Sequence, residues 1–181
     1  MERIIIIITI SILYTCLTFA KSSYQVDLIV FAHPNQNPEM AVDAPLIPMS
    51  ANAISLKTDT EKSGKPYRLL SPSASSLRDE YYLLSRKSHY QVLGHYSWRQ
   101  PANNQSSVAL PVVEHNGWQM QGTLNVTQTN YYSFDAELQV SPPNNPQSSF
   151  TVSQKQRLKD DVVYYLDNAQ IGMLVKIYKL G

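Results

Sequence analysis

The chain has 181 residues, with 15 Lys or Arg against 14 Asp or Glu and a formal net charge of +1. A balance this even offers no electrostatic basis for holding nucleic acid or an anionic membrane surface, which sets both partner classes aside. The one cysteine, Cys16, lies in an apolar leader, so a disulfide framework and a cysteine-based metal site are excluded for the body of the protein.

Arg3 precedes an apolar run from Ile4 to Leu13 that continues more loosely to Phe19 and stops at Lys21-Ser22-Ser23. That is the layout of a secretory signal peptide, with Thr18 and Ala20 as the small residues of a cleavage site. Residues 1–20 therefore read as a leader and residues 21–181 as a single mature domain. A transmembrane span is the competing reading, but a span wants about 20 apolar residues, and Tyr14, Thr15, Cys16 and Thr18 interrupt this run. Tyr14-Thr15 are also poor neighbours for lipid attachment at Cys16. Cleavage removes Glu2 with Arg3, leaving 14 cations and 13 acids and the same net charge of +1. About 160 residues suffice for one hydrophobic core.

Tyr24 to Ala32 (YQVDLIVFA) is rich in β-branched and aromatic residues and stops at His33-Pro34, which predicts a central first strand. Asn35 to Ser76 is a long Pro-rich irregular excursion, containing Pro38, Pro45, Pro48, Pro66 and Pro72, with short apolar anchors at Leu46-Ile47, Ile54 to Leu56 and Tyr67 to Leu70. Ser76 followed by Asp79 resembles a capping box, and Leu77, Tyr81 and Leu84 share one face, predicting a helix from Leu77 to Lys87. Its apolar stripe needs a sheet to cover.

Tyr90 to Arg99 is predicted as a strand with Tyr90, Val92, Tyr96 and Trp98 on one face and Leu93, His95 and Arg99 on the other. From Met120 to Val140 the apolar residues Met120, Leu124, Val126, Tyr132, Phe134, Ala136, Leu138 and Val140 are all even-numbered. One face is therefore buried and one wet. As a single strand this stretch would reach about 70 Å at ~3.3 Å per residue, so it must coil or turn back. A three-residue turn at Gln128-Thr129-Asn130 would pair even with even, but no glycine marks a turn, which favours one long coiled strand. Ser141 to Ser149 is a loop, and Phe150 to Leu166 and Ile171 to Leu180 are the last two strands. The order predicts an α+β fold with a mainly antiparallel β-sheet, one flanking helix and the Pro-rich excursion after the first strand.

Catalytic signatures are absent: the chain has no Gly-x-Ser-x-Gly, Ser-x-x-Lys or His-Glu-x-x-His. His89 and His95 lie about 20 Å apart along one strand, too far to share a metal, and His33 and His115 sit in loop contexts. Asp160-Asp161 reads as a turn or bulge pair. No catalytic residue, metal or cofactor is assigned. The distinctive feature is the aromatic surplus, 12 Tyr and 2 Trp, with adjacent pairs at Tyr81-Tyr82, Tyr131-Tyr132 and Tyr164-Tyr165. In a strand the two members of a pair face opposite ways, which puts Tyr131 on the polar side.

The segments YQVDLIVFAH, YQVLGHYSWRQP, GTLNVTQTNYYSFDAELQV and VVYYLDNAQIGMLVKIY, in this order, resemble the landmarks of the CsiV peptidoglycan-binding family. The resemblance implies a periplasmic protein of Gram-negative bacteria that binds peptidoglycan and cooperates with an outer-membrane lipoprotein activator of a penicillin-binding synthase. Where the family reads His-Tyr-Leu-Asp-His-Pro, this chain has Tyr164 in place of the first histidine and Asn168-Ala169 in place of His-Pro, and Ile171-Gly172 stands for Phe-Gly. A function that depended on those histidines would be in doubt here.

The expected function is a non-enzymatic binding and regulatory module of the envelope. An envelope scaffold with no cell-wall affinity and an unfamiliar cell-wall enzyme are the alternatives. For the binding site, alternation sends Trp98 into the core and Arg99 outward beside His95. The Arg99 guanidinium can pair in a fork with a stem-peptide carboxylate, and Tyr131 can offer a stacking ring. Arg99, Tyr131 and His95 are the candidate binding residues.

Overall fold

Aromatic and β-branched side chains on both faces of Tyr24 to Ala32 call for cover on both sides, and they receive it. The computed structural model describes residues 22–33, 52–56, 66–87, 89–143 and 149–180. Its elements are β1 (Ser23–Ala32), β2 (Ile54–Ser55), β3 (Arg68–Leu69), a 3₁₀ turn at Pro72–Ala74, α1 (Arg78–Ser85), β4 (Gln91–Pro101), β5 (Val108–Ala109), β6 (Val113–His115), β7 (Trp118–Gln128), β8 (Tyr132–Ser141), β9 (Phe150–Leu158), β10 (Val163–Asp167) and β11 (Ile171–Leu180). The leader, the anchor Leu46-Ile47 and most of the Pro-rich excursion lie outside the described residues.

Two sheets form. The first runs β10-β11-β1-β4-β3 and is antiparallel throughout; the second runs β2-β5-β7-β8-β9, with β6 also on β7, and its β2–β5 pair is parallel. Tyr24, Val26, Leu28 and Val30 on one side of β1 share a core with Phe134, Leu138 and Val140 of β8 and with Val152 of β9. The other side of β1, through Ile29 and Phe31, packs under Leu77, Tyr81 and Leu84 of the helical segment. The α+β class, the central first strand and the flanking helix are as the sequence predicts.

Four local expectations need correction. The even-numbered stretch is a hairpin and not a coiled strand: Gln128 pairs with Tyr132 and Val126 with Phe134, so even meets even across Thr129-Asn130-Tyr131. No residue of that turn has a positive φ, which is why it needs no glycine. In β4, Val30 pairs with Gly94 but Phe31 pairs with Val92, leaving Leu93 as an extra, bulged residue. The bulge inverts the phase, so Leu93 enters the main core while Tyr90 and Val92 turn to the helix side.

The helix begins at Arg78 and the capping box does not form, because the Ser76 hydroxyl is drawn to the buried Asp27 carboxylate, 2.7 Å away. Finally, Phe150 to Leu166 is two strands in different sheets. The chain passes from β9 to β10 through Asp160-Asp161, where Asp161 takes a left-handed φ of 57°. Asp160 accepts from the Tyr132 hydroxyl at 3.1 Å and from the Lys179 amide at 3.0 Å, which fastens this crossover to both sheets.

Candidate functional site

The outer face of the first sheet collects the polar and aromatic groups that the core does not use. Three features follow one another along it, beginning with the buried Asp27. Its carboxylate accepts from Ser97 Oγ at 2.6 Å, Gln25 Nε2 at 3.0 Å, and both the amide and hydroxyl of Ser76 at 2.7 Å. Those four donors hold the segment leading into α1 against β1 and β4, so Asp27 is architectural.

Beside it stands His95. Its ring stacks on Tyr81 of α1, with centroids 4.8 Å apart and planes 19° apart, and its Nε2 is buried without a hydrogen-bond partner among the described residues. A pocket of about 330 Å³ opens here between the 3₁₀ turn, β4 and β6, lined by Pro72, Tyr81, His95, Glu114 and His115 among others. Burial lowers the His95 pKa below the ordinary imidazole value, and the nearby Asp27 charge opposes this only in part.

The sign of the pH effect follows directly. The unfolded chain protonates this histidine near pH ~6.5 while the native chain resists, so stability is complete above that value and declines as pH falls towards the lower folded pKa. Urea midpoints measured between about pH 5 and 7 should fall less steeply for His95→Phe than for the parent protein; parallel curves would refute the assignment.

The third feature lies where β1 ends against β10 and β11. Tyr165 is 52 % exposed and lies almost parallel to Phe31, with centroids 6.1 Å apart and planes 8° apart. Tyr90 meets the same Phe31 edge-on at 5.4 Å. His33 Nε2 is 2.8 Å from Asp167 Oδ1, and the Tyr165 hydroxyl is hydrogen-bonded to the same carboxylate. Partial burial pushes the Asp167 carboxyl up, but the Tyr165 and His33 hydrogen bonds outweigh it and the net pKa is lowered. Burial first, and Asp167 second, push the Tyr165 phenol up to about 12. At neutral pH this is a protonated phenol ring held flat beside a fixed carboxylate.

Of the three residues singled out from sequence, Arg99 and His95 share this outer face. Tyr131 does not. Its neighbour Tyr132 points inward to Tyr24, and Tyr131 sits on the outside of the second sheet with Arg157 4.7 Å above its ring. The two sheets stand between Arg99 and Tyr131, and the Tyr131 face is occupied by a cation of the same chain. The Tyr164-Tyr165 pair does divide as alternation requires, with Tyr164 packed against the core and Tyr165 exposed. What sequence reading missed is the company Tyr165 keeps, because the cluster joins three separate places in the chain: Phe31 and His33 at the end of β1, Tyr90 before β4, and Tyr165 with Asp167 on β10. Among the described residues no group of three His, Cys, Asp or Glu is arranged to hold a metal, and no helix is long and apolar enough to cross a membrane.

Fold and surface together define an α+β sandwich whose first sheet presents an open aromatic and acidic face. Residues 3–180 match the family described as peptidoglycan-binding protein, CsiV, and the chain belongs to that family. A peptidoglycan-binding family belongs to the cell envelope. No curated protein and no solved structure matches the chain.

Proposed function

We propose that this protein is a periplasmic, non-catalytic peptidoglycan-binding regulator whose aromatic cluster at Tyr165 stacks against a sugar ring of the glycan strand. One observation carries the reading: a half-exposed tyrosine supported from behind by Phe31, with the Asp167 carboxylate fixed beside it by His33. A rigid aromatic face takes the apolar face of a pyranose, and an oriented carboxylate accepts from sugar hydroxyls or acetamido N–H groups. Pre-positioning both groups lowers the ordering cost of binding. The resemblance extends this role to assisting a lipoprotein activator of a penicillin-binding synthase, which would place a protein partner alongside the glycan.

Sedimentation with insoluble sacculi tests the core of the reading. The parent protein should pellet, and Tyr165→Ala, with unchanged melting temperature, should bind about tenfold more weakly, as expected for ~1 to 1.5 kcal/mol of ring contact. Tyr165→Phe keeps the ring and should stay near the parent. A parent protein that remains in the supernatant overturns the proposal in favour of a partner-only scaffold, and release of soluble muropeptides overturns the non-catalytic part.

A further inference from the structure

At the other end of the same sheet face, β3 and β4 place Arg68 directly opposite Arg99. Directly opposed residues of an antiparallel pair project to one side, so two guanidinium-bearing side chains leave this edge together. Arg99 is exposed and Arg68 half-buried. Like charges in this position destabilise a strand pair, and β3 is only two residues long, with little pairing to offset the repulsion. Among the described residues neither arginine has an ion-pair partner.

The acids of this region are already engaged. Asp27 pairs across β4 with Ser97, two positions from Arg99, and its oxygens accept from Ser97, Ser76 and Gln25. Asp161 holds Lys176 at 2.9 Å. Gln25, which pairs with Arg99 across β1 and β4, is buried, and its Nε2 lies within hydrogen-bond distance of Asp27, Ser97 and the Ala74 carbonyl; as a neutral amide it brings no negative charge to the arginines. The sheet edge thus carries two adjacent cations with no ion-pair partner among the described residues, Arg99 acting electrostatically on the Tyr178 hydroxyl, which is hydrogen-bonded to Asp27.

We propose that Arg68 and Arg99 form a two-guanidinium site for a carboxylate of a peptidoglycan stem peptide. The choice of stem peptide rests on the wall-binding reading above; the geometry itself asks for an anion. A carboxylate between the two forks receives charge-assisted hydrogen bonds from both and removes their mutual repulsion. Phosphate shares the charge, so the probes must separate the two.

The probes are a soluble muramyl tripeptide with free carboxylates, the same compound with its carboxylates amidated, and inorganic phosphate, each titrated into the purified protein while arginine Nε–Hε resonances are followed by NMR. The free acid should shift two arginine resonances, and the amidated form should bind at least about tenfold more weakly. Arg68→Gln and Arg99→Gln should each weaken the free acid by about tenfold and leave the amidated form unchanged. Both variants should melt at or above the parent temperature, since each removes a repulsion; a purely structural pair would give variants that melt lower.

Variants that bind acid and amide as the parent does overturn the site, and phosphate competing as strongly as the tripeptide overturns the carboxylate assignment. Sacculi distinguish this failure from that of the wider reading. Parent and arginine variants that pellet alike, with unchanged tripeptide binding, remove the arginine site and leave wall binding intact. A parent that fails to pellet but still binds the tripeptide through these arginines removes the glycan reading and supports the carboxylate site.

Discussion

Trp98→Ala lowers the unfolding free energy by about 3 to 5 kcal/mol, the range for emptying a large buried aromatic site. Trp98 is fully buried between the sheets, and its indole N–H donates to Gln100 Oε1 at 2.6 Å. Gln100 Nε2 donates in turn to the Tyr24 hydroxyl at 2.5 Å and to the Val126 carbonyl at 3.0 Å. The same carbonyl also accepts from Tyr24 at 2.7 Å and Asn104 at 2.8 Å. Removing the indole therefore opens a cavity and strips one acceptor of its donor in a network that ties β1 and β4 to β7. Urea unfolding should show the loss in the midpoint with the slope unchanged. Trp98→Phe, which fills most of the volume but lacks the N–H, should cost clearly less; equal losses would show that the hydrogen bond outweighs the packing.

Asp27→Ala costs about as much for a different reason. The side chain is fully buried and accepts from Gln25, Ser97 and both the amide and hydroxyl of Ser76, with the Tyr178 hydroxyl hydrogen-bonded to it as well. Truncation leaves the Ser76 amide and the Ser97 hydroxyl facing no acceptor, at about 1 to 3 kcal/mol for each orphaned group. A total near 3 to 5 kcal/mol is expected, because some of these donors can be rescued by water at the partly exposed Ser76. The loss should concentrate on the helix side of the sheet. Hydrogen exchange should show α1 amides losing protection while β7 and β8 amides keep theirs relative to the global transition. Uniform loss across both sheets would refute the view that Asp27 chiefly anchors the helical segment. The packing of Tyr165 on Phe31 should also weaken if α1 lifts, since Leu77, Tyr81 and Leu84 pack against Phe31.

Patterns repeated along one strand were legible from the residues alone. The even-numbered apolar set from Met120 to Val140 named the buried face of β7 and β8 before their pairing was known, and it survives the correction from coiled strand to hairpin because a three-residue turn preserves parity. The β-branched and aromatic content of β1 announced a central strand, which the sheet order bears out. His115, expected in a loop context, instead ends a strand: Asn116-Gly117, with φ of 51° and 81°, is a tight two-residue turn joining β6 to β7.

Other features had no local trace. Leu93 is an ordinary apolar residue in sequence, and only the mismatch between β1 and β4 makes it a bulge that reverses the faces of Tyr90 and Val92. The capping box at Ser76 was a sound local pattern, defeated by a buried carboxylate 49 positions earlier in the chain. Composition and alternation determined the fold class, the first strand's centrality, and the inward Trp98 beside an outward Arg99. Tertiary structure alone decided that Phe31, His33, Tyr90 and Tyr165 meet, that Arg68 faces Arg99, and that Tyr131 stands on the far sheet. Alternation reports which side of its own strand a residue takes, whereas these meetings depend on register between strands, which long-range pairing and packing select.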